Sequence, residues 1–292
     1  RLVRFVVSGN VTNCNFVNNS ASQNGGAIRM QSGSIANCNF TDNSAVAKGG
    51  AVFFDNKGKG NVTNCNFINN KATGTFGHGG AVSMLIGNVI NCNFTNNSAL
   101  DGGAVNFDGT HNAEPNTVIN CNFVGNSASR DGGAVCTSSG NIANCNFTNN
   151  SAIDGGAIWL TTGNVENCNF DYNSASNEGG AVFTWGTSYL TNCNFTDNSA
   201  VYGGAIDFSG PGNVINSIFT GNNATSGSAI CFFSSGTHTI SNSLFLNNRA
   251  NVDVDTPLQV TINENNIEII LMGQDNLINA IYSPLYDVSF SI

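Results

Sequence analysis

Four carboxylates, Asp101, Asp131, Asp154 and Glu178, each stand immediately before a Gly-Gly pair. Carboxylates that recur at one position of a repeating pattern stack in space. Like charges about 5 Å apart repel and raise each other's pKa unless a cation lies between them. Two chemistries fit: a solvated turn whose side chains splay apart, or a stripe that binds Ca²⁺ weakly. No other cofactor is expected. A second set is aromatic. Trp159 and Phe183 occupy the same position in successive repeats, Trp185 follows at the next turn, and Phe53 holds that position nearer the N-terminus. Exposed aromatics in a flat row suit sugar rings or an aromatic protein anchor. The competing expectation is that a loop or the C-terminal segment covers them.

Hydrolytic or lyase chemistry would need clustered acids beside a base or a metal. The nine cations, Arg1, Arg4, Arg29, Lys48, Lys57, Lys59, Lys71, Arg130 and Arg249, are scattered. The three histidines, His78, His111 and His238, fall in turns or at strand edges far apart. His111 and Glu114 share a polar insertion at 108–116, which reads as a surface loop. No catalytic residues are expected.

The elements that must hold these groups follow from a repeat. Asn-Cys-Asn-Phe or a close variant places its Phe at Phe16, Phe40, Phe67, Phe94, Phe123, Phe147, Phe170, Phe195, Phe219 and Phe245, spaced 23 to 29 residues apart. Gly-Gly-Ala-[Ile/Val] follows each of the first eight, and Gly227-Ser228-Ala229-Ile230 is a relaxed copy. The apolar runs are short, β-branched or aromatic, and bounded by Gly, Asn and Ser, which is the chemistry of strands and turns. Long stretches of helical period are missing. An all-β fold is expected: a single-stranded right-handed parallel β-helix of about ten three-sided coils over residues 1–250. Stacked at about 4.8 Å per coil it would be roughly 48 Å long. Residues 251–292 would form a β segment that caps or joins it.

Two asparagine columns belong to this scaffold. Asn13, Asn37, Asn64, Asn91, Asn120, Asn144, Asn167, Asn192, Asn216 and Asn242 stand three residues before each Phe. The apolar residue before this Asn and the Cys after it are three apart and cannot share one face of a straight strand. The Asn must turn a corner, and it tolerates the left-handed conformation well. Asn19 to Asn248, three residues after each Phe, are expected to do the same at the next corner. Eight of the ten cysteines, Cys14 to Cys193, occupy one inward position. Stacked side chains point the same way, so disulfides are not expected. Ser217 and Ser243 replace Cys in the last two coils, which suggests small buried packing groups. Cys136 and Cys231 are expected to face outward.

Composition narrows the function. Charged residues are 9% of the chain, the formal net charge is −9, and Asn numbers 52. A chain this poor in cations lacks a phosphate-neutralising surface, so no nucleic-acid partner is expected. No apolar run is long enough for a membrane span. The start, RLVRFVVSGN, does not read as a signal peptide and looks like a point partway through the pattern. Asn39, Asn93, Asn146 and Asn194 precede x-Ser/Thr on an outward strand position and are candidates for glycosylation.

The pairing of Phe-x-x-Asn with Gly-Gly-Ala-[Ile/Val] resembles the repeats of polymorphic outer-membrane proteins and related β-helical surface adhesins. The denser Asn-Cys-Asn-Phe-Thr-Asn-Asn-Ser-Ala form is similar to adhesin-like surface proteins of methanogenic archaea. The resemblance covers roughly residues 8 to 250. Segments 277–282 and 288–290 resemble pieces that join or cap the helix in those adhesins. It implies an extracellular, cell-surface rod for attachment, with a glycan or protein of another cell as partner. Two alternatives stay open: a polysaccharide lyase or hydrolase of the pectate-lyase type, and a filament subunit that self-associates end to end through its open strand edges.

Overall fold

The computed structural model describes residues 5–55, 58–109, 115–233 and 237–250, with two further strands at 259–262 and 288–291. The chain winds as a parallel β-solenoid whose coils share three sheets. A wide sheet holds both the Ala-[Ile/Val]-x-apolar strand and the [Val/Ile]-x strand. In three coils the two merge into one nine-residue strand, Ile28–Ala36, Val135–Ala143 and Ile158–Glu166. A second sheet stacks ten three-residue strands, Asn15–Val17 to Leu244–Leu246. The third stacks ten short strands, from Ser20–Ala21 to Arg249–Ala250. The motifs predict one side each for the Ala-[Ile/Val]-x-apolar, [Val/Ile]-x and Cys-Asn-Phe strands, and the structure allots the sides differently. The first two strands share a side because no corner separates them, and the Ser-Ala pair forms a side of its own.

Register is set by identity, since each repeat position pairs with its own copy one coil away. Phe147 opposes Phe123 and Phe170, for example. The ten Phe rings form one column with centroids 4.6–4.9 Å apart and planes within 6° of parallel. Around it pack the Ile/Val and Ala columns and the cysteines, nearly all wholly buried.

Three kinds of corner turn the coil. At the first, all ten residues from Asn13 to Asn242 have φ between 49° and 56°, as expected. Their exposed amides bond along the axis where pairs form: Asn64 Nδ2 donates to Asn37 Oδ1 at 3.2 Å and Asn120 Nδ2 to Asn91 Oδ1 at 3.1 Å. At the second corner the left-handed residue is the one before the expected Asn: Asn18, Asp42, Asn69, Asn96, Gly125, Asn149, Tyr172, Asp197, Gly221 and Asn247. The Asn19 to Asn248 column instead points inward, and most of it is buried. There Asn150 Oδ1 accepts the Asn126 backbone N–H at 2.9 Å and the Asn126 Nδ2–H at 3.0 Å. Its own Nδ2 donates to Phe123 O and Asn173 Oδ1, both at 3.0 Å. Every polar site on the buried amide is used, which is what burial requires.

The third corner is Gly-Gly. Gly155 sits at φ +64°, and a Cβ on Gly156 would lie 2.1 Å from Gly180 O. The first glycine serves the conformation and the second the close approach of the next coil.

The cysteine column is buried from Cys38 to Cys193, and its thiols are free. Burial pushes the Cys38 thiol pKa up. The column is more than packing. Cys145 Sγ accepts the Cys121 backbone N–H at 3.4 Å, and its thiol donates to Ala143 O at 3.1 Å. Ser217 reproduces both contacts, taking the Cys193 N–H at 3.2 Å and donating to Ile215 O at 2.9 Å. Cys145→Ser is thus expected to change the unfolding free energy by less than about 1 kcal/mol, whereas Cys145→Ala strands a buried N–H and costs roughly 1–3 kcal/mol. Guanidinium titration of both variants checks this. Equal losses would return the position to simple packing.

At the C-terminal end, Val288–Ser291 pairs antiparallel with Thr237–Ser241 and with Gln259–Ile262. It occupies the wide-sheet edge that a further parallel coil would need. The tail segment 277–282 lies outside the described residues.

Candidate binding trough

For the outward position of the first strand the sequence leaves two expectations, an exposed face or one covered by a loop or the C-terminal segment. It is mostly covered: Phe53 and Phe183 are 2% exposed, Cys231 3% and Asp207 0%. Cys136 is part-buried, with its thiol pKa pushed well up by burial. The expectation that Cys136 and Cys231 face solvent is corrected accordingly. None of these side chains belongs to the central core cluster. They form a row along the rod, each paired with its copy one coil away, and this row between its two flanking columns is termed the trough. One wall is the residue before Gly-Gly, and the other is the residue just after the strand, which includes Asp55, Asp108, Trp185 and Phe233. Long side chains from the walls and floor close over it. That coverage could not be read from alternation along a single strand.

Toward the N-terminus, charge spans the trough. Lys48 Nζ lies 2.9 Å from Asp108 Oδ2, joining one wall to the other two coils away. Asp108 also accepts from Ser83 and Asn106 on the floor. Floor Arg29 pairs with Asp55 at 3.0 Å and lies over the Phe53 ring. Asp101 is 2.7 Å from His78 Nδ1, accepts from Arg130 Nε at 2.8 Å and meets a second Arg130 nitrogen. Arg130 Nε also reaches Asp131 at 3.2 Å.

These contacts decide much of the carboxylate column. Burial opposes ionisation of Asp101, but His78 and Arg130 outweigh it and hold the carboxyl below its ordinary value. Asp131 is pushed up to about 6, by burial first and then by the charge of Asp101. Glu178 is raised by burial and by Asp154. Asp154 accepts from Asn177 Nδ2 at 2.9 Å and from the Glu178 N–H at 3.2 Å. The four residues do stack as one column. Asp101 is committed to protein cations, however, and no group of three or more His, Cys, Asp or Glu among the described residues is arranged to hold a metal ion.

Of the four aromatic candidates, Phe53 lies several coils from the others and is sealed, and Phe183 is sealed as well. Trp159 stacks on Phe183 at 6.1 Å, and Trp185, 62% exposed, lies 6.3 Å from Phe183. Trp159 and Trp185 therefore present the reachable aromatic surface. Tyr202 and Phe233 were missed: they come from opposite walls and meet edge-on at 5.2 Å. Asp207 was also missed. It stood in the outward column, but its burial depends on neighbours from other repeats. Its carboxyl is pushed well up, by burial and then by Glu178, while the Cys231 thiol faces it. His111 and Glu114 lie outside the described residues.

On the far side, Asn39, Asn93, Asn146 and Asn194 are exposed, as expected of modification sites. Their amides already form a ladder: Asn39 Nδ2 donates to Asn15 Oδ1 and Asn66 Nδ2 to Asn39 Oδ1, both at 2.8 Å.

The chain belongs to the right-handed β-helix family, whose model matches residues 27–200. Residues 13–30 match the Chlamydia polymorphic membrane protein repeat, which fits a surface-exposed, adhesin-like β-helical protein. Comparison with curated proteins and with solved structures finds no match in either.

Proposed function

We propose that this chain is the rod of a cell-surface adhesin and that the trough holds an extended ligand, with a glycan favoured. The supporting observation is the exposed Trp185 and part-buried Trp159, both against the Phe183 ring, in the coils whose wall carries Asp154 and Glu178, carboxylates that can accept sugar hydroxyls. The polymorphic membrane protein repeat supports an extracellular setting. The expected result is that the immobilised full chain retains members of a glycan array and loses them on Trp185→Ala. Retention unaffected by that substitution would move the binding surface elsewhere.

A second reading, a polysaccharide lyase or hydrolase, draws on one observation. Asp101 and Asp131 share Arg130 yet have their pKa values pushed in opposite directions, the kind of split that separates an acid from a base. Release of new reducing or unsaturated sugar ends from a retained polysaccharide would favour it over attachment alone.

A further inference from the structure

The two halves of the trough treat charge differently. From Arg29 to Arg130 its carboxylates Asp55, Asp108, Asp101 and Asp131 each meet a cation of the same chain. Beyond Asp131 the pattern stops. Among the described residues neither Asp154 nor Glu178 on the wall has an ion-pair partner, and Asp154 accepts from the Asn177 amide and the Glu178 N–H. Asp207 on the floor is wholly buried, with the Cys231 thiol facing it but, among the described residues, no N or O donor on either carboxyl oxygen and no cation beside it. A buried carboxylate without compensation is costly, and it persists where something completes it. The aromatic surface is in the same place: Asp207 is directly opposite Phe183, whose ring contacts both tryptophans.

We infer that this half of the trough binds the protonated amine of an amino sugar, with Glu178 and Asp154 facing the ammonium and Trp185 and Trp159 lying against the ring. Asp207 lies beneath them: burial and the Glu178 charge hold it toward the neutral form, and a cation seated above draws it toward the ionised one. The aromatic faces add cation–π attraction and cover the apolar face of the sugar. Every part of the site comes from coils between Asp154 and Asp207, so the ligand supplies the cation that the chain supplies in its other half. This inference rests on the glycan reading above.

The test uses the full chain and three probes: a β-linked glucosamine tetrasaccharide with its amines protonated, its N-acetylated counterpart, and a tetralysine peptide. Binding is read by tryptophan fluorescence and calorimetry. The glucosamine tetramer is expected to bind and to perturb Trp185. The N-acetylated sugar and tetralysine are each expected to bind about tenfold more weakly or worse, one charged contact being worth roughly that much. Glu178→Gln should weaken the glucosamine tetramer alone, with circular dichroism showing an intact rod. Equal binding of the N-acetylated sugar would overturn the ammonium site and leave the adhesin reading standing. Equal binding of tetralysine would overturn the sugar. Loss of all binding to the glucosamine tetramer, with retention elsewhere on a glycan array, would place the glycan site outside this half of the trough.

Discussion

Asn150→Ala is expected to lower the unfolding free energy by about 4 kcal/mol or more. The substitution removes four hydrogen bonds at once, each worth about 1 kcal/mol. The Asn126 backbone N–H is left without its acceptor, whereas the Asn126 amide keeps Phe94 O and Asn173 Oδ1 keeps the backbone N–H of residue 150. Each buried polar group left without a partner costs roughly 1–3 kcal/mol. Asn91→Ala, at the first corner, is the matched control. Its amide also bonds to both neighbours, at 3.2 and 3.1 Å, but it is open to water, which replaces those bonds. There the loss is mainly the left-handed backbone held without Asn, about 1–2 kcal/mol. Chemical denaturation of both variants measures the difference. Equal losses would mean that the inward ladder is no more than a well-packed column.

Stability is expected to rise as the pH is lowered from 7.5 to about 4.5. Asp131 has a folded pKa of about 6 against an ordinary value of 3.8. A raised carboxyl stabilises the fold fully below its unfolded pKa, and that contribution is lost as pH rises through the folded value. For Asp131 the swing between pH 7.5 and 4.5 is about 2 kcal/mol, at about 1.4 kcal/mol per unit, and it reaches about 3 kcal/mol below the unfolded value. Glu178 and Asp207 act in the same direction, both pushed up first by burial. Asp101 opposes them only at the acid end: its lowered carboxyl contributes above about 3.8, and that is lost as it protonates below. The optimum should therefore lie near pH 4. Asp207→Asn should raise the midpoint at pH 7.5 and flatten the upper part of the profile. A midpoint that is the same at pH 4.5 and 7.5 would show that these groups are not buried as described.

The scaffold was legible because each coil repeats the same instruction. One Phe column and one Asn corner read ten times over, with a Gly-Gly pair in eight of the coils, leave little freedom in the fold. What escaped was what depends on contacts between different columns. Asn19 and its copies looked like a second corner because Asn serves a left-handed turn and a buried ladder equally well. The turn residue beside it varies from Asn to Tyr172, so it showed no column at all. The cysteines were read as small and inert; the axial N–H bond that Sγ accepts emerges only when two coils are superposed. The trough was missed for a similar reason. Alternation along a strand marks Phe183 as outward, which is correct, but nothing in its own repeat shows that neighbouring side chains close over it. Charge pairing such as Lys48 with Asp108 spans 60 residues and has no local signature.

The bonds of the Asn and Cys columns, like those of the three sheets, run along the rod. Tension applied between two coils therefore loads all the bonds of one interface at once, as rivets in a plate, and none yields until all do. A force that lifts the chain from an end meets the same bonds one after another, as in a zipper. A ligand gripped in the trough pulls on the flank of several stacked coils and engages the first geometry. The resistance of the rod to detachment would then depend on where it is held more than on how tightly.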